Sequence, residues 1–254
     1  MPISDYRTAL VTGASSGIGL AVVERLAREG LQVHALARSA DALKALAGRT
    51  GCIPHAIDVG DLEAITELAR GTEVDVLINS AGVDRPKKFL QSDSEDIDLL
   101  VNVNLRAILH LCRLFVPGMV QRDRGHVVNI TSIAGAYNFA GNSTYHATKA
   151  AVSMLTSQLR VDCLGKRVRV TEICPGRVAT DIFAHVHGDS AETHANFIEG
   201  FELPEAKDIA DAIAFAIAAP VAVNIGHIEI TPTLQVPGGL STKRPERPSK
   251  PLPR

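Results

Sequence analysis

Over its first two thirds the chain alternates short, almost continuously apolar runs with stretches whose apolar residues recur at helical spacing. The runs fall at residues 7–12, 32–37, 52–57, 74–79, 126–131, 167–173 and 227–230. Runs apolar on both faces suit parallel strands covered by helices on either side, and their alternation with helical stretches predicts βαβ units. Between them, Ile18, Val22 and Leu26 form one helical stripe, and Ile209, Ile213 and Ile217 another. Residues 93–120 read as one long helix carrying Ile97, Leu100, Val101, Leu105, Ile108 and Leu111, with Pro117 expected to kink or end it. A second long helix is predicted over 144–164, which places Tyr145 in its first turn. The expectation is a single doubly wound α/β domain over residues 1–235, with about seven parallel strands.

Two segments break the pattern. Residues 181–203 mix Gly188, His185, His187, His194, Phe183, Phe197 and Phe201 without periodicity, and a stretch of that length between elements reads as a substrate lid. Residues 236–254 are Pro-rich and basic with little apolar surface to bury, and read as a flexible tail.

Composition narrows the function. With 254 residues and 46% apolar content the chain can bury one large core. A net charge of −2 and a pI of about 6.5 argue against nucleic acid or an anionic membrane as partner and favour a small molecule. Cys52, Cys112, Cys163 and Cys174 are scattered, and the three histidines of 181–203 have no carboxylate or cysteine at ligand spacing, so no metal is expected. Residues 1–6 carry no cationic stretch followed by an apolar one, and no run approaches the roughly 18 apolar residues of a membrane span; the expectation is a cytoplasmic protein.

The candidate chemistry begins directly after the first strand, at Thr12-Gly13-Ala14-Ser15-Ser16-Gly17-Ile18-Gly19. Gly13 allows a tight turn, Gly17 lets backbone approach a ligand, and Gly19 lets the following helix pack on the strand. Free N–H groups at that helix start favour an anion such as a pyrophosphate, so Gly13, Ser15, Ser16, Gly17, Ile18 and Gly19 are candidate dinucleotide contacts of a Rossmann-like fold. Where an NAD enzyme would offer an acid after the second strand, this chain has Arg38, which suits a 2′-phosphate; NADP(H) is therefore favoured over NAD(H). Tyr145 and Lys149, four apart, lie on one helix face, with Ser132 thirteen residues upstream of Tyr145. A neighbouring ammonium favours a phenolate, so Lys149 is expected to lower the pKa of Tyr145 and fit it for proton exchange with an alcohol or carbonyl.

Together, Thr12 to Gly19, Asn79-Ser80-Ala81-Gly82, Asn104, Ser132, Tyr145 with Lys149, and Pro175-Gly176 resemble the short-chain dehydrogenase/reductase family over about residues 7–234. The resemblance implies Asp58 and Val59 as adenine contacts, Asn79, Ala81 and Gly82 beside the cofactor, and Asn104 as the holder of a water in a proton relay to Lys149. Ser80 replaces the second asparagine of the family's motif, a departure expected to touch sheet stability more than chemistry. The resemblance further implies that Ser132 positions the substrate oxygen, that Tyr145 is the acid/base, and that Lys149 contacts the nicotinamide ribose. Pro175, Gly176, Val178 and Thr180 would hold the nicotinamide carboxamide. Residues 169–176 and 224–235 resemble the NADP-dependent 3-hydroxy acid dehydrogenase branch, whose members act on hydroxy acids, semialdehydes, sulfoacetaldehyde or antibiotic aldehydes. Family members are commonly tetramers built on two long helices, so a homotetramer or homodimer is expected.

For the substrate, Tyr137, Phe139 and Asn142 are candidates because their segment bridges Ser132 and Tyr145, and Arg177 could bind a carboxylate or sulfonate. Arg85, Lys87 and Lys88 form a basic cluster that could border the site, and His146 points to another face than Tyr145. The reading is an oxidoreductase interconverting a small polar alcohol and its aldehyde or ketone. Two alternatives remain: a nucleotide-binding regulator without turnover, and epimerase or dehydratase chemistry, for which the chain has little room for the usual extra domain.

Overall fold

The computed structural model describes residues 3–180 and 199–236. Seven parallel strands form one sheet: β1 (Thr8–Thr12), β2 (Gln32–Ala37), β3 (Ile53–Ala56), β4 (Val76–Asn79), β5 (Gly125–Ile130), β6 (Val168–Pro175) and β7 (His227–Ile230). Their order across the sheet is β3-β2-β1-β4-β5-β6-β7, so winding runs one way from β1 and the other way from β4. All seven expected strands are present, with ends displaced by at most two residues.

Side chains alternate across each strand and divide the interior in two. Ala9 and Val11 of β1 face a core shared with α1 (Gly17–Arg28), α2 (Ala40–Thr50) and a late helix. Leu10 faces a second core under α3 (Leu62–Gly71), α5 (Ala107–Gln121) and α6 (Ser143–Asp162). The late helix, α7 (Ala206–Ala218), buries Ile209, Ile213 and Ile217 against the first core, as its stripe predicts.

The long helix expected over 93–120 differs in two ways. It begins as α4 (Ser94–Val101), passes through a wider π turn at Asn102–Arg106, and resumes as α5. Pro117 does not end it: α5 continues to Gln121. Pro117 and Arg113, whose carbonyl loses its donor, both lie on the exposed side, where water can replace the missing N–H. Ser94–Gln121 is long and apolar enough to cross a membrane by length and composition alone. Ile108, Leu111 and Phe115 of that stretch are buried against the sheet.

Two buried charges tie the layers together. Asp75, before β4, accepts from the Arg7 amide at 2.8 Å and from the Arg124 guanidinium at 3.0 Å. Arg169 on β6 donates to the carbonyls of Ile217 at 2.6 Å and Ala219 at 2.9 Å and to the Tyr6 hydroxyl at 3.0 Å, so a buried cation closes the C-terminal end of α7. Truncating it strands several buried acceptors. Arg169→Met should lower the unfolding free energy by about 2–4 kcal/mol in a urea titration, whereas breaking the exposed Arg49–Glu24 pair with Arg49→Ala should cost less than about 0.5 kcal/mol. Equal losses would contradict this account of α7.

Candidate active site

Where the winding reverses, the loops after β1 and β4 diverge and leave a cleft of about 740 Å³ at the C-terminal edge of the sheet. Its floor is the glycine turn. Gly13 has φ +68°, and a methyl there would lie 2.9 Å from the Cα of Ala81, so this turn packs directly on the chain leaving β4. A side chain at Gly19 would collide with the Gly13 carbonyl. The Thr12 hydroxyl accepts from the amides of Ser80 and Ala81, each at 3.0 Å, and fixes the second loop to the first strand; its role has no signature in the sequence.

Ser16 precedes α1 without capping it through its side chain, so the helix's leading amides are left for an anion. Ser15, Ser16, Gly17 and Ile18 line the cleft there, and Thr180 faces Gly17 across it, with its side chain 3.6 Å from where a Gly17 methyl would stand. Arg38, exposed at the end of β2, borders the same end of the cleft with Asp58 and Val59. The Asp58 carboxylate accepts from the Gly60 amide at 2.8 Å within its own turn. This cradle of backbone amides, glycines and one guanidinium fits a phosphorylated dinucleotide.

At the other end stand the candidate proton-transfer groups. Ser132, just beyond β5, accepts from the Ala134 amide at 3.1 Å and hydrogen-bonds the Tyr145 phenol. Lys149, one turn after Tyr145, is buried, donates to the Ile130 carbonyl at 2.9 Å and lies 5.6 Å from the centre of the Tyr145 ring. The electrostatics differ from the sequence expectation. Burial, then the Asp84 carboxylate, push the Tyr145 pKa upward, and the Ser132 hydrogen bond offsets only part of this. Burial pulls Lys149 down to about 8, against opposing pulls from Asp84 and Cys174. The ammonium sits over the ring and bonds a carbonyl, and burial, the largest influence on the phenol, pushes Tyr145 toward its protonated form.

Asn104 occupies the π turn and is fully buried. Its amide both donates to the Val83 carbonyl and accepts from the Val83 amide, each at 2.8 Å. A methyl on Gly82 would lie 3.5 Å from Asn104 Oδ1 and 3.7 Å from Lys149 Nζ, in ordinary contact with both, so Gly82 lies beside these two groups.

The remaining candidates divide. Ala81, Gly82, Pro175, Gly176 and Val178 line the cleft. Gln235 does too; it accepts from the Arg177 amide at 2.9 Å. Asn79 does not line it: its side chain donates to Asn129 at 2.7 Å beneath the sheet edge. Tyr137 is likewise outside, with its phenol bonded to Glu229 and its pKa raised by that carboxylate. Asn142 and Phe139 do line the cleft, as does Arg177, whose guanidinium lies 5.1 Å from the Phe201 ring. Arg85 reaches the cleft, whereas Lys87 is paired with Asp93 and Asp96. His146 is held by the Asn142 carbonyl and the Phe139 ring. Asp84, Leu99 and Val103 also line the site and had no sequence signal. Among the described residues Cys174, His227 and Glu229 approach within 4.8 Å, but each has a protein partner, in Thr131, Glu172 and Tyr137 respectively. His185, His187, His194 and most of the expected lid, at 181–198, and the tail from 237 lie outside the described residues.

Comparison with known proteins agrees with this geometry. The short chain dehydrogenase family model matches residues 7–191. The short-chain type dehydrogenase/reductase y4eK of Sinorhizobium fredii is 36% identical over 97% of this chain and 99% of its own length. The NADP-dependent 3-hydroxy acid dehydrogenase YdfG of Salmonella typhi is 35% identical over 92% of this chain and 98% of its own. A solved closed form of serine dehydrogenase complexed with NADP+ superimposes with a TM-score of 0.87 at 31% identity, covering 94% of this chain and all of that one. With Ser132, Tyr145 and Lys149 gathered at one end of the cleft and the glycine turn at the other, the chain belongs to the short-chain dehydrogenase/reductase family.

Proposed function

We propose that this protein is an NADP(H)-dependent oxidoreductase that interconverts a small polar alcohol and its aldehyde or ketone. The observation that carries the reading is the convergence of Ser132, Tyr145 and Lys149 on a cleft whose other end is a phosphate cradle bordered by Arg38. Names of relatives and a neighbour's NADP+ complex support the cofactor and point to hydroxy acids as one substrate class, with aldehydes such as sulfoacetaldehyde as the alternative. Exposed Leu109 on α5 and Met154 and Val161 on α6 support assembly through those helices, as a homotetramer or homodimer.

When bound, NADPH supplies the hydride and NADP+ accepts it. The protein's own work is proton transfer and placement. Asn142, Tyr145 and Ser132 border the place where the substrate oxygen would sit, and Ser132 and Tyr145 can both hydrogen-bond it. In reduction the Tyr145 hydroxyl gives its proton to the oxygen as hydride reaches the carbon; in oxidation the proton returns to the phenolate as hydride leaves. Lys149, charged below about 8, supports negative charge on the phenol oxygen during transfer. Arg38 would bind the 2′-phosphate as a planar, permanently charged donor.

Tyr145→Phe removes the only proton the ring can exchange and should lower kcat for NADPH-dependent aldehyde reduction by about 10²–10⁴-fold while leaving NADPH binding within a few-fold. Unchanged turnover would refute the assignment. Arg38→Ala should weaken NADPH binding at least about tenfold more than NADH binding in fluorescence titrations; equal losses would contradict the 2′-phosphate role. Because the depressed pKa of Lys149 means charge below about 8 and none above, kcat/KM for reduction should be level at neutral pH and fall above about 8. Oxidation, which needs an ionised phenol, should rise with pH. A reduction profile flat to pH 10 would exclude Lys149 charge from the mechanism.

A further inference from the structure

Glu172 lies within β6, is buried, and has no part in the proton-transfer scheme. Val168, Val170 and Cys174, the other side chains on its face of the strand, are apolar, and the two valines pack in the core under α6. A carboxylate in such a layer gives up its water, a cost that only close donors offset. Thr131 Oγ1 donates to Oε1 at 2.7 Å, Ser153 Oγ donates to Oε2 at 3.0 Å, and His227 Nδ1 lies 3.2 Å from the same Oε2.

These partners come from three separate parts of the fold, and two of them adjoin the active site. Thr131 follows β5 and immediately precedes Ser132. Ser153 comes after Tyr145 and Lys149 at four-residue intervals, so the three form one ridge along α6. One carboxyl group therefore joins the segment that carries Ser132 to the helix that carries Tyr145. Ser132 hydrogen-bonds the Tyr145 phenol, and that contact depends on how α6 is seated along the sheet. Apolar packing is non-directional and leaves sliding soft, whereas hydrogen bonds fix distance and direction. Two further ties flank the bridge: Lys149 donates to the Ile130 carbonyl at 2.9 Å, and Asn129 donates to Thr156 at 2.8 Å, about one turn beyond Ser153.

We propose that Glu172 is a positioning residue: by bridging Thr131 and Ser153 it holds Ser132 and Tyr145 in register, so that both reach one substrate oxygen. This rests on the oxidoreductase reading above and adds to it a residue that does not line the cleft. Exchanging a buried ion set for an apolar side chain of similar volume is often neutral for stability, so the contribution of this carboxylate is geometry. A misplacement of about 1 Å at a reacting group can cost about a hundredfold in rate, which makes loss of the bridge measurable.

Three substitutions test it. Glu172→Leu removes both arms while filling the space, and Thr131 keeps the Ile173 carbonyl, at 3.2 Å, as an acceptor. Ser153→Ala removes one arm and introduces a good helix former. Glu172→Gln keeps an oxygen and a donor for the two hydroxyls. Each would be measured for thermal unfolding, NADPH affinity, kcat and KM for reduction of glyceraldehyde and a panel of small aldehydes, and NMR signals of tyrosine labelled at its hydroxyl-bearing carbon. Glu172→Leu should unfold within about 5 °C of the native protein and bind NADPH within about threefold. Its kcat should fall at least about tenfold with KM changed less than about threefold. Ser153→Ala should lose at least about threefold in kcat, and Glu172→Gln should stay within about threefold of native. In a Tyr145→Phe background Glu172→Leu should cost less than about twofold more, because no phenol is left to place. The Tyr145 signal should move in Glu172→Leu while that of Tyr6 holds.

Native kcat in Glu172→Leu, or a Tyr145 signal left in place, would overturn the proposal. A loss that persists undiminished in Tyr145→Phe, or that only follows the fraction unfolded, would also overturn it and leave Glu172 a purely structural acid. If Glu172→Leu does not fold, Ser153→Ala decides, and native kcat with an unmoved Tyr145 signal overturns the bridge. A native protein that binds NADPH but reduces none of the aldehydes overturns the oxidoreductase reading, while a displaced Tyr145 signal in Glu172→Leu still upholds the bridge.

Discussion

The reversal of winding between β1 and β4 governs the rest of the molecule. Successive right-handed connections running in one direction along the sheet stay on one face, and where the direction changes the two loops part toward opposite faces and leave a crevice at the strand ends. The two loops meet at its floor, where Gly13 lets the first lie directly on Ala81 and the Thr12 hydroxyl accepts from both the Ser80 and Ala81 amides. The width of the cleft is thus set by a small number of backbone contacts, and every functional group is placed relative to them.

The opposite end depends on burial. Lys149 on α6 and Asn104 in the π turn are both buried, with Gly82 of the loop after β4 beside them. Enclosure shifts both ionisable partners toward their neutral forms: the phenol of Tyr145 upward, and the ammonium of Lys149 down to about 8. A tyrosine so placed is prepared to give a proton, and a lysine so placed is charged only while the pH stays near neutral. Asp84 adds to the first effect and resists the second.

Much of this was legible in the sequence, for reasons that can be named. Strands buried on both faces write themselves as apolar runs, and the glycine turn and the Tyr145–Lys149 spacing are local patterns whose geometry follows from helix periodicity. The π turn at Asn102–Arg106 was not legible, because a single wider turn leaves the apolar stripe of 94–121 unbroken to the eye. Pro117 misled in the other direction, since its cost depends on which face carries the unpaired carbonyl. Asp84 and Gln235 are single residues whose partners are far off in sequence, at Asn142 and Arg177. Tyr137 lies between Ser132 and Tyr145 in the sequence, yet its phenol is taken by Glu229 on β7. The electrostatic balance at Tyr145 was misjudged because spacing reports the neighbour and not the burial.

The central claim is that one cleft joins hydride transfer to the Tyr145 proton. Its most direct test is to run glyceraldehyde reduction with NADPH deuterated at the nicotinamide carbon that carries the hydride and to examine the product by NMR. The account predicts one deuterium on the new carbinol carbon per cofactor consumed, and loss of that product in Tyr145→Phe. Cofactor consumed with no deuterium at that carbon, or labelled product formed equally fast by the variant, would contradict it.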